Sequence, residues 1–173
     1  MKKTKLIIKK TNRLDASKLK KILAIKNSFW KFGLSSQRKW FKQNVRSFDY
    51  NFLLYLGKKM IGYTLLRKRK YIIKSNENSF FLLDTIIIDK KYRSSRYGSK
   101  LIKGINNFIL KKKLISILYC KKNIVNFYTK NNWRILPKKN ISASFHKKNR
   151  FFLIFNKKII RILNKDKIFF RLN

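Results

Sequence analysis

The stretch Phe80 to Asp89, FFLLDTIIID, is the most strongly strand-like segment in the chain, and YRSSRYGSKLI (Tyr92 to Ile102) follows it almost at once. From Ser99 onward Leu101, Ile102, Ile105, Phe108 and Ile109 fall on one helical face. The arginine-serine-glycine cluster is therefore the junction between a buried strand and an amphipathic helix. A strand that turns tightly into a helix presents unpaired backbone N–H groups and the positive end of the helix dipole at one point, which suits an anion. Gly98 permits close backbone approach, Ser94, Ser95 and Ser99 add hydroxyls, and Arg93 and Arg96 add charge. The glycine spacing of a dinucleotide fingerprint and the lysine-serine pair of a P-loop are both missing.

The segments around this junction predict a mixed α/β or α+β chain. Lys5 to Lys9 reads as a first strand, and Asp15 caps a helix with the stripe Ala16, Leu19 and Leu23. A second helix is predicted from Ser35 or Ser36, burying Trp40, Phe41, Val45 and Phe48. NFLLYL and MIGYTLL, joined by Gly57, Lys58 and Lys59, form a hairpin pattern. Both runs are apolar on both faces, so they belong inside a covered sheet rather than in a solvated ribbon. Lys74 to Ser79 reads as a turn. LISILYC is a strand, KNIVNFYTK a helix and WRIL a strand, and residues 137–173 supply the last strands, including RFFLIFN and a hairpin about Asn164 to Asp166. No repeat and no change of composition divides residues 1–173 into more than one domain.

Composition limits the classes of function. The chain has 173 residues, 45% of them hydrophobic, with 46 Lys and Arg against 6 Asp and Glu, a formal net charge of +40. That field attracts polyanions, phosphorylated cofactors and nucleic acid among them, although a lysine-, isoleucine- and asparagine-rich codon bias also produces it. The lysine runs Lys111 to Lys113 and Pro137 to Asn140 read as solvated surface that can steer an anionic cofactor. One cysteine, Cys120, and one histidine, His146, allow neither an internal disulfide nor a zinc set. Leu6 to Ile8 is too short for a secretory h-region, and no apolar run approaches the ~20 residues of a membrane span. The expectation is a soluble cytoplasmic protein.

IIIDKKYRSSRYGSKLI resembles the acyl-CoA-binding segment of the GNAT superfamily of N-acetyltransferases: Gln or Arg, two residues, Gly or Ala, one residue, Gly or Ala. Arg93 matches the first place and Gly98 the last, while Arg96 replaces the middle glycine. CKKNIVNFYTKNNWRIL resembles the family's later segment, with Phe127 and Tyr128 at its Phe-Tyr pair, Trp133 at its aromatic and Asn132 at its glycine. The resemblance implies a GNAT fold: one domain with a central, mostly antiparallel twisted sheet, a splayed strand pair and about four helices. It further implies that the amides of the loop from Arg93 through Ser94, Ser95, Arg96, Tyr97 and Gly98 to Ser99 hold the pyrophosphate of acetyl-CoA. The strand end Ile86, Ile87 and Ile88 would pair with the pantetheine arm, and an amide at Ile87 or Ile88 would stabilise the oxyanion.

Two catalytic candidates follow from the same resemblance. Tyr128 supplies the proton to the departing thiolate, against the plainer role of a core tyrosine. Asp84, one of six acidic residues, is the candidate base, against the plainer role of an ion pair with one of the lysines. Asp89 reads as a turn residue and Cys120 as buried packing rather than a nucleophile; His146 carries no deducible role. The expected activity is acetyl transfer from acetyl-CoA to a primary amine, with amino sugars, aminoglycosides and protein N-termini, ribosomal ones included, as acceptors. The alternative is a basic RNA- or ribosome-binding protein of the same fold with decayed catalysis; a membrane-surface protein is a third reading.

Overall fold

The computed structural model describes residues 3–73, 76–137, 150–156 and 169–171. In order these form β1 (Thr4–Lys10), α1 (Ala16–Phe29), α2 (Leu34–Asn44), β2 (Tyr50–Leu56), β3 (Lys59–Ile73) and β4 (Asn76–Ile88). Then follow α3 (Tyr97–Lys111), β5 (Ile115–Cys120), α4 (Val125–Thr129), β6 (Arg134–Leu136), β7 (Phe151–Phe155) and β8 (Phe169–Arg171). His146, Lys138 to Asn140 and the hairpin expected about Asn164 to Asp166 lie outside the described residues. The chain makes two compact units, Met1–Arg67 with Asp84–Gly104 and Lys68–Leu83 with Ile105–Asn173.

In the first unit the strand order is β1-β2-β3-β4, with β1 antiparallel to β2 and β2 antiparallel to β3. Gly57 makes the β2–β3 turn at φ +58°, a conformation that suits a residue without Cβ. Ile22, Leu23 and Ile25 of α1 and Phe41 of α2 pack on Leu53, Tyr63, Leu65 and Ile87. Ile7 packs on that cluster too, so its neighbour Leu6 faces the other side of the pleat. There it meets α3 so closely that a Cβ on Gly104 would run into its side chain. The Asp15 carboxylate accepts the Lys18 N–H at 2.7 Å, the N-cap foreseen for α1.

In the second unit the order is β3-β4-β5-β7-β6, with β8 on β3. The β4–β5 pair is parallel and covers only Phe80–Leu82 against Ile115–Ile117, as a splayed pair requires; β5–β7, β6–β7 and β3–β8 are antiparallel. Tyr71, Phe80, Leu82, Ile115, Ile117, Phe152 and Ile154 form its core. Buried polar groups are paired: Trp133 Nε1 donates to Asn106 Oδ1 at 3.0 Å, and Asn106 Nδ2 donates to the Asn131 carbonyl at 2.9 Å.

Several local expectations need correction. α2 begins at Leu34 because Gly33, at φ +83°, turns the chain into it before either serine. Phe48 lies past the end of that helix and is 46% exposed. Asn76 to Ser79 belong to β4, where Glu77 pairs with Lys70 at 2.5 Å, rather than to a turn. The helix carrying the Phe-Tyr pair is one turn long because Lys122–Ile124 before it wind as a 3-10 helix.

Candidate active site

The junction after β4 leaves a run of donors open. Asp89 closes the strand by accepting the Lys91 N–H at 3.1 Å, and a 3-10 turn follows over Lys90–Tyr92. The Arg96 carbonyl accepts the Lys100 N–H at 3.0 Å, so Arg96 is the N-cap of α3. Among the described residues, the backbone N–H groups of Ser94, Ser95, Arg96, Tyr97, Gly98 and Ser99 have no acceptor. Ser94 and Arg96 sit at φ +63° and +58°. Alternating hands of this kind curl successive N–H groups toward one concave side, an anion nest continued by the helix N-terminus. The positive φ explains why a glycine suits the place of Arg96, and its exposed side chain leaves the loop's concavity to the backbone.

Arg93 is tied down rather than free. Its Nε donates to the Ile88 carbonyl at 3.1 Å, and its guanidinium lies 5.2 Å from the ring centre of Phe29, the last residue of α1. The Asp89 N–H donates to the Ile61 carbonyl at 2.9 Å. Successive residues of a strand point their N–H and C=O groups to opposite edges, so the N–H of Ile88 faces away from β3. Its own carbonyl, on that same edge, is taken by Arg93. Of the two amides considered for an oxyanion, Ile88 is the one with the open direction. Gly62 opposite it has no room for a side chain, since a Cβ there would stand 2.8 Å from Ile88 Cδ1.

The pleat of β4 also slips by one residue just before this point. Tyr63 and Leu65 point into the core under α1 and α2, and Arg67 continues their face. Asp84 meets Arg67 Nη1 at 3.0 Å, and Ile87 packs in the same core. Residues three apart share a face only if the alternation shifts, as at a β-bulge, a device that re-aims strand ends beside functional sites.

Asp84 therefore pairs with Arg67 rather than with a lysine, both side chains being nearly buried at 13% and 12% exposure. The salt bridge uses Oδ2; Oδ1 accepts nothing from the described residues. A third charge joins them from α1. Lys26 is 3% exposed, and its Nζ lies 3.6 Å from the ring centre of Trp40 on α2. Burial pushes its ammonium down to about 8, Asp84 pulling it up and Arg67 pushing it further down. Neither Lys26 nor Trp40 figured among the sequence candidates. The signal was present, because Lys26 continues the stripe of Ala16, Leu19 and Leu23 at a position where an apolar residue belongs.

Tyr128 belongs to the second unit. It is buried, its ring lies 6.1 Å from that of Trp133, and burial pushes its phenol well up, with Cys120 adding to the shift. Its hydroxyl bonds to none of the described residues. Asn132 carries φ +68°, the left-handed step after α4 that asparagine tolerates. Cys120 is buried and its thiol is pushed up to about 11, which suits packing and not nucleophilic attack. Among the described residues no helix is long and apolar enough to cross a membrane.

No family model and no curated protein matches this sequence. Solved structures do match its fold. An acyl-CoA N-acyltransferase from Pseudomonas aeruginosa is similar at a TM-score of 0.67 with 7% identity, covering 89% of this chain and 100% of that one. ElaA from Escherichia coli is similar at 0.65 with 10% identity, over 89% of this chain and 100% of that one. Naa50 from Arabidopsis thaliana, in complex with the bisubstrate analogue CoA-Ac-MVNAL, is similar at 0.62 with 13% identity, over 88% of this chain and 99% of that one. The chain has the GNAT fold, that of the acyl-CoA N-acyltransferases. Among the described residues, the mixed sheet, its splayed pair and the four helices are those the resemblance implied.

Proposed function

We propose that this protein is an acetyl-CoA-dependent N-acetyltransferase that acetylates a primary amine by direct attack within a ternary complex. The observation that carries the reading is the row of six amides from Ser94 to Ser99 that have no acceptor among the described residues, a shape and charge that suit a pyrophosphate. In this reading the pantetheine arm runs beside Ile86 to Ile88, and the Ile88 N–H receives the oxyanion as the amine nitrogen attacks the thioester carbon. The C–S bond then breaks. The proton shed by the nitrogen is taken up by Asp84 Oδ1, directly or through water, and returned from there to solvent, while the thiolate takes one proton from solvent and leaves as the thiol of free coenzyme A. Tyr128 acts on the sulfur: a buried phenol with a raised pKa stays protonated, and it stabilises the developing thiolate chiefly by donating a hydrogen bond.

Titration of acetyl-CoA by calorimetry tests the reading. Saturable binding is expected, abolished by Gly98→Trp, whose side chain crowds the loop. Tyr128→Phe should leave that affinity unchanged while kcat falls roughly 10- to 100-fold. A protein that binds no acetyl-CoA, or a phenylalanine variant of unchanged kcat, contradicts the respective assignment.

A further inference from the structure

We propose that the turn joining α1 to α2 docks this protein on an anionic lipid bilayer, Phe32 and Leu34 entering the interface while the basic residues around them meet the headgroups. The proposal uses none of the groups assigned to acetyl-CoA or to the transfer, so it stands apart from the acetyltransferase reading. Residues 31–36 are all exposed, Phe32 at 70% and Leu34 at 55%, and Phe29 just before them is 45% exposed. Single exposed apolar residues are ordinary. Three within one short turn make a patch, and such patches mark partner or membrane contacts.

The turn is built to hold these side chains out. Trp30 packs against the core of the first unit, and its ring meets that of Phe29 edge-on at 4.7 Å. The Trp30 carbonyl accepts the Phe32 N–H at 2.8 Å and Nε2 of the buried Gln37 at 3.0 Å. Gly33 donates its N–H to Asn27 Oδ1 at 2.9 Å and takes φ +83°, with nothing within 4 Å of where a Cβ would stand. Hydrogen bonds on both sides thus fix the backbone of Phe32 while its ring stays in water, a hydrophobic cost that a bilayer removes. Charge selects the occupant. No carboxylate occurs between Asp15 and Asp49, whereas Lys31, Arg38 and Lys39 are exposed beside the tip. Arg38 is one turn of α2 beyond Leu34 and so on its side of the helix. An apolar tip ringed by cations has the composition of an interfacial anchor. A second copy of the chain brings the same +40 and is repelled. Leu34 has no ring face for a base, and single-strand binders stack bases along a charged groove, whereas the turn at Gly33 faces open space.

The test is co-sedimentation of the full chain with vesicles of phosphatidylglycerol and phosphatidylcholine in equal parts, or of phosphatidylcholine alone. Wild type should partition onto the anionic vesicles and more weakly onto the neutral ones. A chain of +40 meets any anionic surface, so the tip is isolated by a substitution that leaves charge alone. Phe32→Ser should weaken partitioning onto the anionic vesicles roughly 10-fold or more, the worth of burying most of a phenylalanine ring. Lys31→Gln should weaken it about 5-fold. Phe48→Ser, at an exposed apolar site past the other end of α2, should change nothing. Phe32→Trp reads insertion directly, since its added fluorescence should be quenched by lipids brominated on the acyl chain. No partitioning of wild type, partitioning that Phe32→Ser leaves intact, or an unquenched new tryptophan overturns the proposal. So does a Phe32→Ser effect on single-stranded RNA binding, or on the sedimentation of the protein alone, in place of one on vesicles, which would assign the tip to RNA or to a second copy.

Discussion

Replacing Lys26 by methionine should stabilise this protein, and the gain should fade as pH rises. Burial holds the Lys26 ammonium down to about 8 in the folded state, against 10.5 for an ordinary lysine. Burial is the chief cause, so the charged form is disfavoured in the fold. Below pH 8 both folded and unfolded chains carry the proton and the full penalty applies. Between the two values the unfolded chain binds more protons, so the penalty shrinks, and above 10.5 it is gone. At pH 7 the shift sets a ceiling of about 3 kcal/mol. Lys26 lies over the face of Trp40, a contact that returns about 0.5 to 2 kcal/mol. The net expectation is a variant more stable by about 1 to 3 kcal/mol at pH 7, methionine filling the same volume. Urea unfolding of both proteins at pH 7 and 9.5 measures it, the effect of every other lysine cancelling in the difference. The gap should narrow by about 2 kcal/mol across that interval. A variant that is less stable at pH 7, or a gap that ignores pH, would refute the assignment of Lys26 as a desolvated cation.

Two further outcomes follow from backbone geometry and packing. Arg96→Gly should raise stability by about 1 kcal/mol, because the left-handed conformation at φ +58° is unstrained without a Cβ; denaturant midpoints check this, and a loss of stability would show that the arginine side chain holds the loop. Gly104→Ala should leave stability within about 1 kcal/mol, the roughly 1 kcal/mol gained in helix propensity offsetting the cost of swinging the Leu6 methyl aside, and a larger fall in Tm would show that Leu6 cannot yield.

Most elements and their order are legible in the residue pattern alone. Continuous apolar runs and period-3.6 stripes are local properties of the chain, so β2, β3, β5, β7, α1 and α3 are written in it. So was the junction, since Gly98 and the clustered serines break the pattern between β4 and α3. Boundaries that depend on distant partners were not legible: Asn76 to Ser79 look like a turn until Lys70 supplies a cross-strand partner for Glu77. The site's charges were the least legible. Arg67 and Asp84 are 17 residues apart in the chain, and Lys26 is further still, on a helix whose stripe it merely interrupts. Only tertiary packing brings the three together, strips them of water and leaves one carboxylate to balance two cations. Charge becomes specific only where solvent is excluded, and exclusion is a property of the folded chain.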